Sequence, residues 1–238
     1  FAERALRAGK HVFVEKPLVI TAEELDAIRA AVEDLAGGGS PAPLLGVGFN
    51  RRFAPITRRM AELLVTQVGP KAMTLTMNAG AIPSSHWTQD RASGGGRIVG
   101  EACHLIDLAR FLAGSPITDV TSAFLGGAGL SDTATITLSF ADGSIATVNY
   151  FANGSKRYPK ERVEVFSGER VLVNDNFRTM HAYGWPGVRT MRLRAQDKGH
   201  AAGVAAFLQA VRDGGAAPIP LDEILEVSEV SLRAAGID

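Results

Sequence analysis

A lysine that follows a predicted strand is the first residue in this sequence with a position suited to acid–base chemistry. Lys16 comes after the apolar run His11–Val14 and before Pro17. Such a run predicts a buried parallel strand, and ligands bind beyond the carboxyl ends of these strands in open α/β sheets. An ammonium group there can donate a proton to a carbonyl or polarise a hydroxyl. The spacing also fits a loop lysine paired with Glu15 in solvent, so the residues alone leave both interpretations open.

Three polar side chains share one broad face of a helix predicted over Arg97–Leu112. Glu101, His104 and Asp107 are spaced three apart on this largely apolar helix,. Buried polar groups without partners cost free energy, so these side chains either pair with one another or face a pocket. Gly94–Gly96, just before the helix, permits close approach of a ligand to the backbone. A metal site would need a second Glu-x-x-His helix, which the sequence lacks, so we predict no metal.

Further candidates lie at the end of the second predicted strand and in a loop. Asn50 and Arg51 end that strand at the same sheet edge as Lys16, where they could contact a substrate hydroxyl or carry the turn into the next domain. Trp87 could form an apolar platform for a sugar ring or a hydrophobic plug under its loop. His200, at a predicted helix start, is expected to be a residue of the cap region rather than a catalyst.

The order of predicted elements indicates the end of a doubly wound α/β domain followed by an α+β domain with a mostly antiparallel sheet. Residues 1–52 supply the end of a helix and strands at 11–14 and 44–49. A further helix is predicted between the two strands; it begins with a capping box at Thr21 and ends at Gly37–Gly39,. Residues 53–238 supply predicted helices at 53–65, 97–112, 200–212 and 222–235, and strands at 71–78 and 191–193. Two hairpins are predicted, 133–140 with 144–151 and 162–166 with 170–173,.

Bulk composition excludes several functional classes. The 238 residues include 25 basic and 25 acidic side chains, so no general electrostatic footprint for nucleic acid or an anionic membrane is present,. No apolar stretch approaches the roughly 20 residues that span a bilayer. The single cysteine, Cys103, excludes an internal disulfide, agrees with a cytoplasmic location, and is expected to be a packed core thiol,. The chain opens at Phe1 inside a helix pattern, so we expect it to be part of a longer polypeptide.

Three segments resemble the Gfo/Idh/MocA family (glucose–fructose oxidoreductase, inositol dehydrogenase, rhizopine catabolism). They are Gly9–Pro17 (GKHVFVEKP), Gly48–Phe53 (GFNRRF) and Gly94–Asp107, and their order matches the family over essentially the whole chain. The resemblance implies the C-terminal part of a Rossmann domain followed by an α+β domain whose open sheet family members often use to oligomerise. It also implies NAD or NADP as cofactor.

The resemblance implies oxidation or reduction at a secondary alcohol of a sugar, cyclitol or sugar nucleotide. Lys16 would be the principal proton donor and acceptor, and His104 would assist beside the nicotinamide. The remaining site residues are then assigned by role: Glu15, Lys16 and Pro17 to the cofactor, and Glu101, Asp107, Asn50, Arg51 and Trp87 to the substrate. A carbohydrate-like small molecule and other copies of the chain are the expected partners.

Two departures from the family pattern qualify this expectation. The Gly-rich dinucleotide loop does not occur in these residues, so the chain alone is not expected to hold the cofactor well or to be active,. Many members carry Asp four residues before the helix histidine, where this chain has Gly100, and Glu101 is a possible substitute. A nicotinamide-dependent lyase or glycosidase, and a non-catalytic binding or oligomerisation module, remain as alternatives. The segment Asn78–Trp87 looks most like a subgroup in which this unit follows a zinc-type alcohol-dehydrogenase-like module.

Overall fold

The computed structural model describes residues 1–36, 42–83, 85–126 and 132–237, so the predicted helix stop at Gly37–Gly39 lies outside the described residues. The helices are α1 (Ala2–Arg7), α2 (Ala22–Ala36), α3 (Pro55–Leu64), the single turn α4 (Arg91–Gly94), α5 (Cys103–Ala113), α6 (His200–Asp213) and α7 (Leu221–Ala234). The strands are β1 (Val12–Val14), β2 (Leu45–Val47), β3 (Ala72–Asn78), β4 (Ile117–Phe124), β5 (Ala134–Phe140), β6 (Ile145–Phe151), β7 (Glu161–Ser167), β8 (Arg170–Asp175), β9 (Thr179–Tyr183) and β10 (Met191–Arg192).

The first part of the chain forms a small parallel unit. Strands β1 and β2 pair in parallel with Phe13 opposite Gly46, and α1 and α2 pack against each other beside them. The predicted capping box starts α2: the Thr21 hydroxyl accepts from the Glu24 amide at 3.2 Å. The Glu24 carboxylate reaches back to the amide of Ile20 at 2.8 Å, one residue earlier than the standard box places it,.

The second part is an open sheet with helices on one face. Across the described residues its eight strands run in the order β10-β9-β8-β7-β3-β6-β5-β4, and every neighbouring pair is antiparallel except β3 with β6. Side chains alternate across the sheet: Ile136 and Leu138 are buried, whereas Thr137 between them is exposed,. Helices α3, α5 and α7 cover the buried face. The predicted α/β fold and both predicted hairpins are confirmed, and β4 and β9 are strands that the sequence pattern did not indicate.

A short 3-10 turn, Asn50–Phe53, connects the two parts and is fully buried. A 3-10 helix has about three residues per turn, so successive side chains point in three directions. The Asn50 amide donates to the carbonyl of Lys198 at 2.6 Å. The Arg51 guanidinium donates two hydrogen bonds of 3.0 Å to the carboxylate of Glu161 at the start of β7.

The third side chain of this turn, Arg52, anchors two helices. It donates to both carboxylate oxygens of Asp107 on α5, at 3.1 and 2.5 Å, and to Glu223 on α7 at 2.8 Å. Arg52 is 3% exposed and Asp107 1%. Removing one member of such a buried pair leaves the other charge without compensation, so the pair fixes the turn against α5 and α7.

We expect Asp107→Asn to lower the free energy of unfolding by about 3 kcal/mol, because the buried Arg52 loses its bidentate carboxylate and keeps only the contact with Glu223,. Urea denaturation of the purified variant measures this loss. The matched control is Glu62→Gln, which breaks the exposed pair between Arg59 and Glu62 and should cost less than about 1 kcal/mol. Equal losses in the two variants would contradict the anchoring role of Arg52.

Candidate active site

A cleft of about 490 Å³ opens between the end of β1 and the glycine-rich segment before α5. Lys16 and Pro17 lie on one wall, Gly100 and Glu101 on another, and Trp87 at the rim. The structure therefore brings together four of the residues that the sequence assigned to a site: Lys16, Pro17, Glu101 and Trp87. Trp87 is 64% exposed, so it lies over the opening and is not a hydrophobic plug under its loop.

Lys16 is held by a backbone carbonyl. Its Nζ donates to the carbonyl oxygen of Gly100 at 2.5 Å. Gly100 belongs to a π-type turn over Ile98–Ala102, an irregularity that interrupts the regular hydrogen-bond ladder of a helix and is frequent at functional sites,. The alternative of a solvent-exposed pair with Glu15 does not describe this structure, because Glu15 lies against Gly48 on β2's side of the strand end.

His104 is 6% exposed and is not among the residues that line the cleft, although the charge of Lys16 acts on it. Burial lowers the pKa of His104 well below its ordinary value, and the positive charges of Arg51, Lys16, His200 and Lys198 lower it further. The imidazole is consequently neutral near pH 7. Its Nδ1 is buried and makes no hydrogen bond to any described residue. A neutral imidazole carries one donor and one acceptor nitrogen, so His104 has hydrogen-bonding capacity that the described residues leave unused.

Glu161 is a buried carboxylate that sequence analysis missed. It accepts two hydrogen bonds from Arg51 and a third from Lys198 Nζ at 2.5 Å. Burial opposes its ionisation, but the charges of Arg51 and Lys198 outweigh burial and lower the pKa of Glu161. The alternation of β7 contains the signal that could have identified it. Glu161 lies on the same buried face of the strand as Val163 and Val165, and a charge on that face needs a partner,.

Three predicted substrate residues are not in the cleft. Asp107 is paired with Arg52, Arg51 with Glu161, and the Asn50 amide bonds Lys198 and accepts from Arg51 at 3.1 Å. These side chains are committed to intramolecular partners in this structure, so the contact of each with a substrate stays a prediction. For Asp107 the reason for its position outside the cleft is helical geometry, since six residues at about 100° each place it roughly 120° around the helix from Glu101.

Glu101 is partly exposed to the cleft and carries two cationic neighbours. Its carboxylate accepts from Arg97 at 3.3 Å and lies 3.8 Å from Lys160 Nζ. Arg97 is held in turn by the carbonyl of Gly80 at 2.8 Å. Glu101 is therefore oriented toward the opening by partners on two sides, and it retains acceptor capacity for a bound hydroxyl.

Within residues 1–36, 42–83, 85–126 and 132–237, no group of three or more His, Cys, Asp or Glu side chains could hold a metal ion. No described helix is long and apolar enough to cross a membrane. Cys103 is a packed core thiol, as predicted: it is 1% exposed, and burial raises its pKa to about 12.

Comparison with known proteins matches both parts of the chain. The profile "Oxidoreductase family, NAD-binding Rossmann fold" matches residues 1–36, and "GFO/IDH/MocA C-terminal domain" matches residues 70–172. Inositol 2-dehydrogenase 2 of Saccharopolyspora erythraea is 34% identical over 166 residues, 66% of this chain and 45% of that protein. Inositol 2-dehydrogenase of Rhizobium meliloti is 27% identical over 228 residues, 89% of this chain and 66% of that protein.

Among solved structures, levoglucosan dehydrogenase in complex with NADH and levoglucosan has the same fold, with a TM-score of 0.80 at 21% identity over 99% of this chain and 74% of that one. The chain belongs to the Gfo/Idh/MocA oxidoreductase family. It spans about half to two thirds of the length of the two inositol dehydrogenases.

The lowered pKa of His104 predicts a pH dependence of stability. The folded protein keeps this imidazole neutral, whereas the unfolded chain takes up a proton below its ordinary pKa of 6.5. Stability should therefore fall as the pH drops below that value, by up to about 1.4 kcal/mol per pH unit from this residue. Urea denaturation at pH 7 and pH 5 should show a smaller loss for His104→Gln than for the wild type. The exposed His86→Gln serves as control, and parallel losses in all three proteins would refute the prediction.

Proposed function

We propose that the full-length protein is an NAD(P)-dependent dehydrogenase that interconverts a secondary alcohol and a ketone in a sugar, cyclitol or sugar nucleotide. The observation that carries the proposal is the position of Lys16: it lies just beyond the carboxyl end of a parallel strand and lines the cleft with Glu101. Family membership and the relatives named as inositol dehydrogenases support the substrate class. In this proposal residues 1–52 belong to the dinucleotide-binding domain and residues 53–238 to the substrate domain.

The residues at the end of β1 fit the nicotinamide end of a dinucleotide. Gly48 keeps this edge tight, since a Cβ there would lie 2.8 Å from a Glu15 carboxylate oxygen. The buried Nδ1 of His104 is an orphan polar atom, since it has no partner among the described residues,. Glu15, Lys16 and Pro17 would hold the group, which when bound supplies hydride transfer. NAD and NADP both remain compatible with these residues.

Within the cleft, proton transfer falls to Lys16. Its ammonium carries three donors, of which one is used on the Gly100 carbonyl, so others remain for a substrate oxygen,. His104 would assist as a neutral hydrogen-bond acceptor, and Glu101 would bind a neighbouring hydroxyl. Trp87 would cover an apolar ring face at the rim. We also propose a cytoplasmic location, which the single buried cysteine supports,.

We expect Lys16→Ala to slow hydride transfer by about 10²- to 10⁴-fold, because the proton donor is lost while the fold remains intact. Single-turnover measurements of cofactor absorbance at saturating cofactor isolate this step from any loss of cofactor affinity. Lys10→Ala, an exposed lysine at the start of the same segment, is the matched control and should retain the wild-type rate. A wild-type rate in Lys16→Ala would remove Lys16 from the mechanism. Turnover without net cofactor reduction would favour a lyase or glycosidase, and failure to bind either dinucleotide a non-catalytic module.

We further propose that the open face of the large sheet joins two copies of the protein. Phe166, Val171 and Tyr183 are cross-strand neighbours on this face, and Phe166 and Tyr183 are 46% and 58% exposed. Such an apolar patch favours an interface. Phe166→Arg should shift the mass measured by light scattering toward the monomer, whereas Val68→Arg, an exposed residue outside the sheet, should not. A monomeric wild type, or an unchanged mass in Phe166→Arg, would count against this interface.

A further inference from the structure

The inner wall of the cleft has open space at Gly100. A Cβ added there would meet only the carbonyl oxygen of Gly94, at an ordinary contact distance of 3.7 Å. Gly100 is also the residue whose carbonyl holds the ammonium of Lys16 at 2.5 Å, so this unfilled volume adjoins the residue that Lys16 contacts.

Lys16 has no carboxylate partner among the residues that the structure describes. Its described contact is the neutral carbonyl of Gly100. The two carboxylates that line the cleft are engaged elsewhere: Glu24 accepts from the Ile20 amide, and Glu101 lies between Arg97 and Lys160. A partly buried cation without a counter-charge is costly, so this wall of the cleft favours an anion.

The charges behind this wall act in the same direction. Among the described residues, Glu161 is the carboxylate that Arg51 and Lys198 share, and both of these cations, together with Lys16, act on the buried His104. The lowered pKa of His104, due to burial and then to Arg51, Lys16, His200 and Lys198, is consistent with a positive potential at this end of the cleft,.

We propose that the cleft takes a polyhydroxy substrate that carries a carboxylate, of the uronate or aldonate class, and that this carboxylate occupies the space over Gly100 beside Lys16. The substrate then supplies the counter-charge that the described residues do not provide. Because an ammonium group has three donors, Lys16 can bind the Gly100 carbonyl, the carboxylate and the reacting hydroxyl together. The redox step at that hydroxyl rests on the proposed function, whereas the preference for an acid rests on the charges and the open space alone.

Matched acid and neutral sugars test the preference. With the full-length protein, kcat/KM should be at least about tenfold higher for D-glucuronate than for D-glucose, or for D-galacturonate than for D-galactose, and sodium chloride should raise KM for the acids only. Isothermal titration calorimetry with the same four sugars and with gluconate measures binding without turnover. Equal or better use of the neutral sugars, or no binding of any of the three carboxylates, overturns the proposal.

Two substitutions of equal size separate charge from volume. Gly100→Asp would place a protein carboxylate in the space, and Gly100→Asn would fill it without charge. We expect Gly100→Asp to reduce the acid preference by at least about tenfold more than Gly100→Asn, through like-charge repulsion. If both variants change the preference for acid over neutral sugars equally, the substrate carboxylate does not occupy the space over Gly100. Binding of the acids in calorimetry without any cofactor reduction would refute the redox function and leave the acid preference standing. Oxidation of sugars without a preference for acids would refute the acid preference and leave the redox function standing.

Discussion

Three consecutive side chains of one 3-10 turn determine how the two parts of this protein are held together. Asn50, Arg51 and Arg52 point in different directions and reach, respectively, the loop before α6, the start of β7, and α5 with α7. A guanidinium group is costly to bury unless a carboxylate accepts two parallel hydrogen bonds from it. Arg51 and Arg52 each have such a bidentate partner,. The parallel unit therefore has one defined orientation against the large sheet, and the cleft between them depends on that orientation.

The candidate active site combines contributions from both parts. Lys16 comes from the parallel unit, whereas Gly100 and His104 come from the helix that covers the sheet, and the hydrogen bond from Lys16 to Gly100 crosses the boundary. Neither part alone contains the arrangement. Charges at this boundary are treated differently, because Arg51 and Arg52 each meet a buried carboxylate, whereas Lys16 meets a backbone carbonyl. Cations in this one region therefore have different roles: Arg51 and Arg52 hold the two parts together, whereas Lys16 faces the cleft.

Much of the fold and part of the site could be predicted from sequence. Local signals were sufficient for β1 with Lys16, for the capping box of α2 and for both hairpins, since apolar runs, caps and turns are written in neighbouring residues. Strand β4 was missed because it is an edge strand with weak alternation of burial,. The tasks of Arg51 and Asp107 depend on partners 110 and 55 residues away, and no local spacing specifies such partners. Only the resemblance to a family assigned His104 to the same site as Lys16.

The π-type turn over Ile98–Ala102 limits insertions and deletions in this helix. An α-helix turns by about 100° per residue, so one residue more or fewer between the glycine-rich segment and α5 would rotate one relative to the other by that angle. His104 would then leave the neighbourhood of Lys16, and Asp107 would leave Arg52. Insertions and deletions in this stretch should therefore be tolerated far less than substitutions. The π-type turn changes the rotation of the helix, so that side chains at its start face the cleft and side chains at its end face the interior.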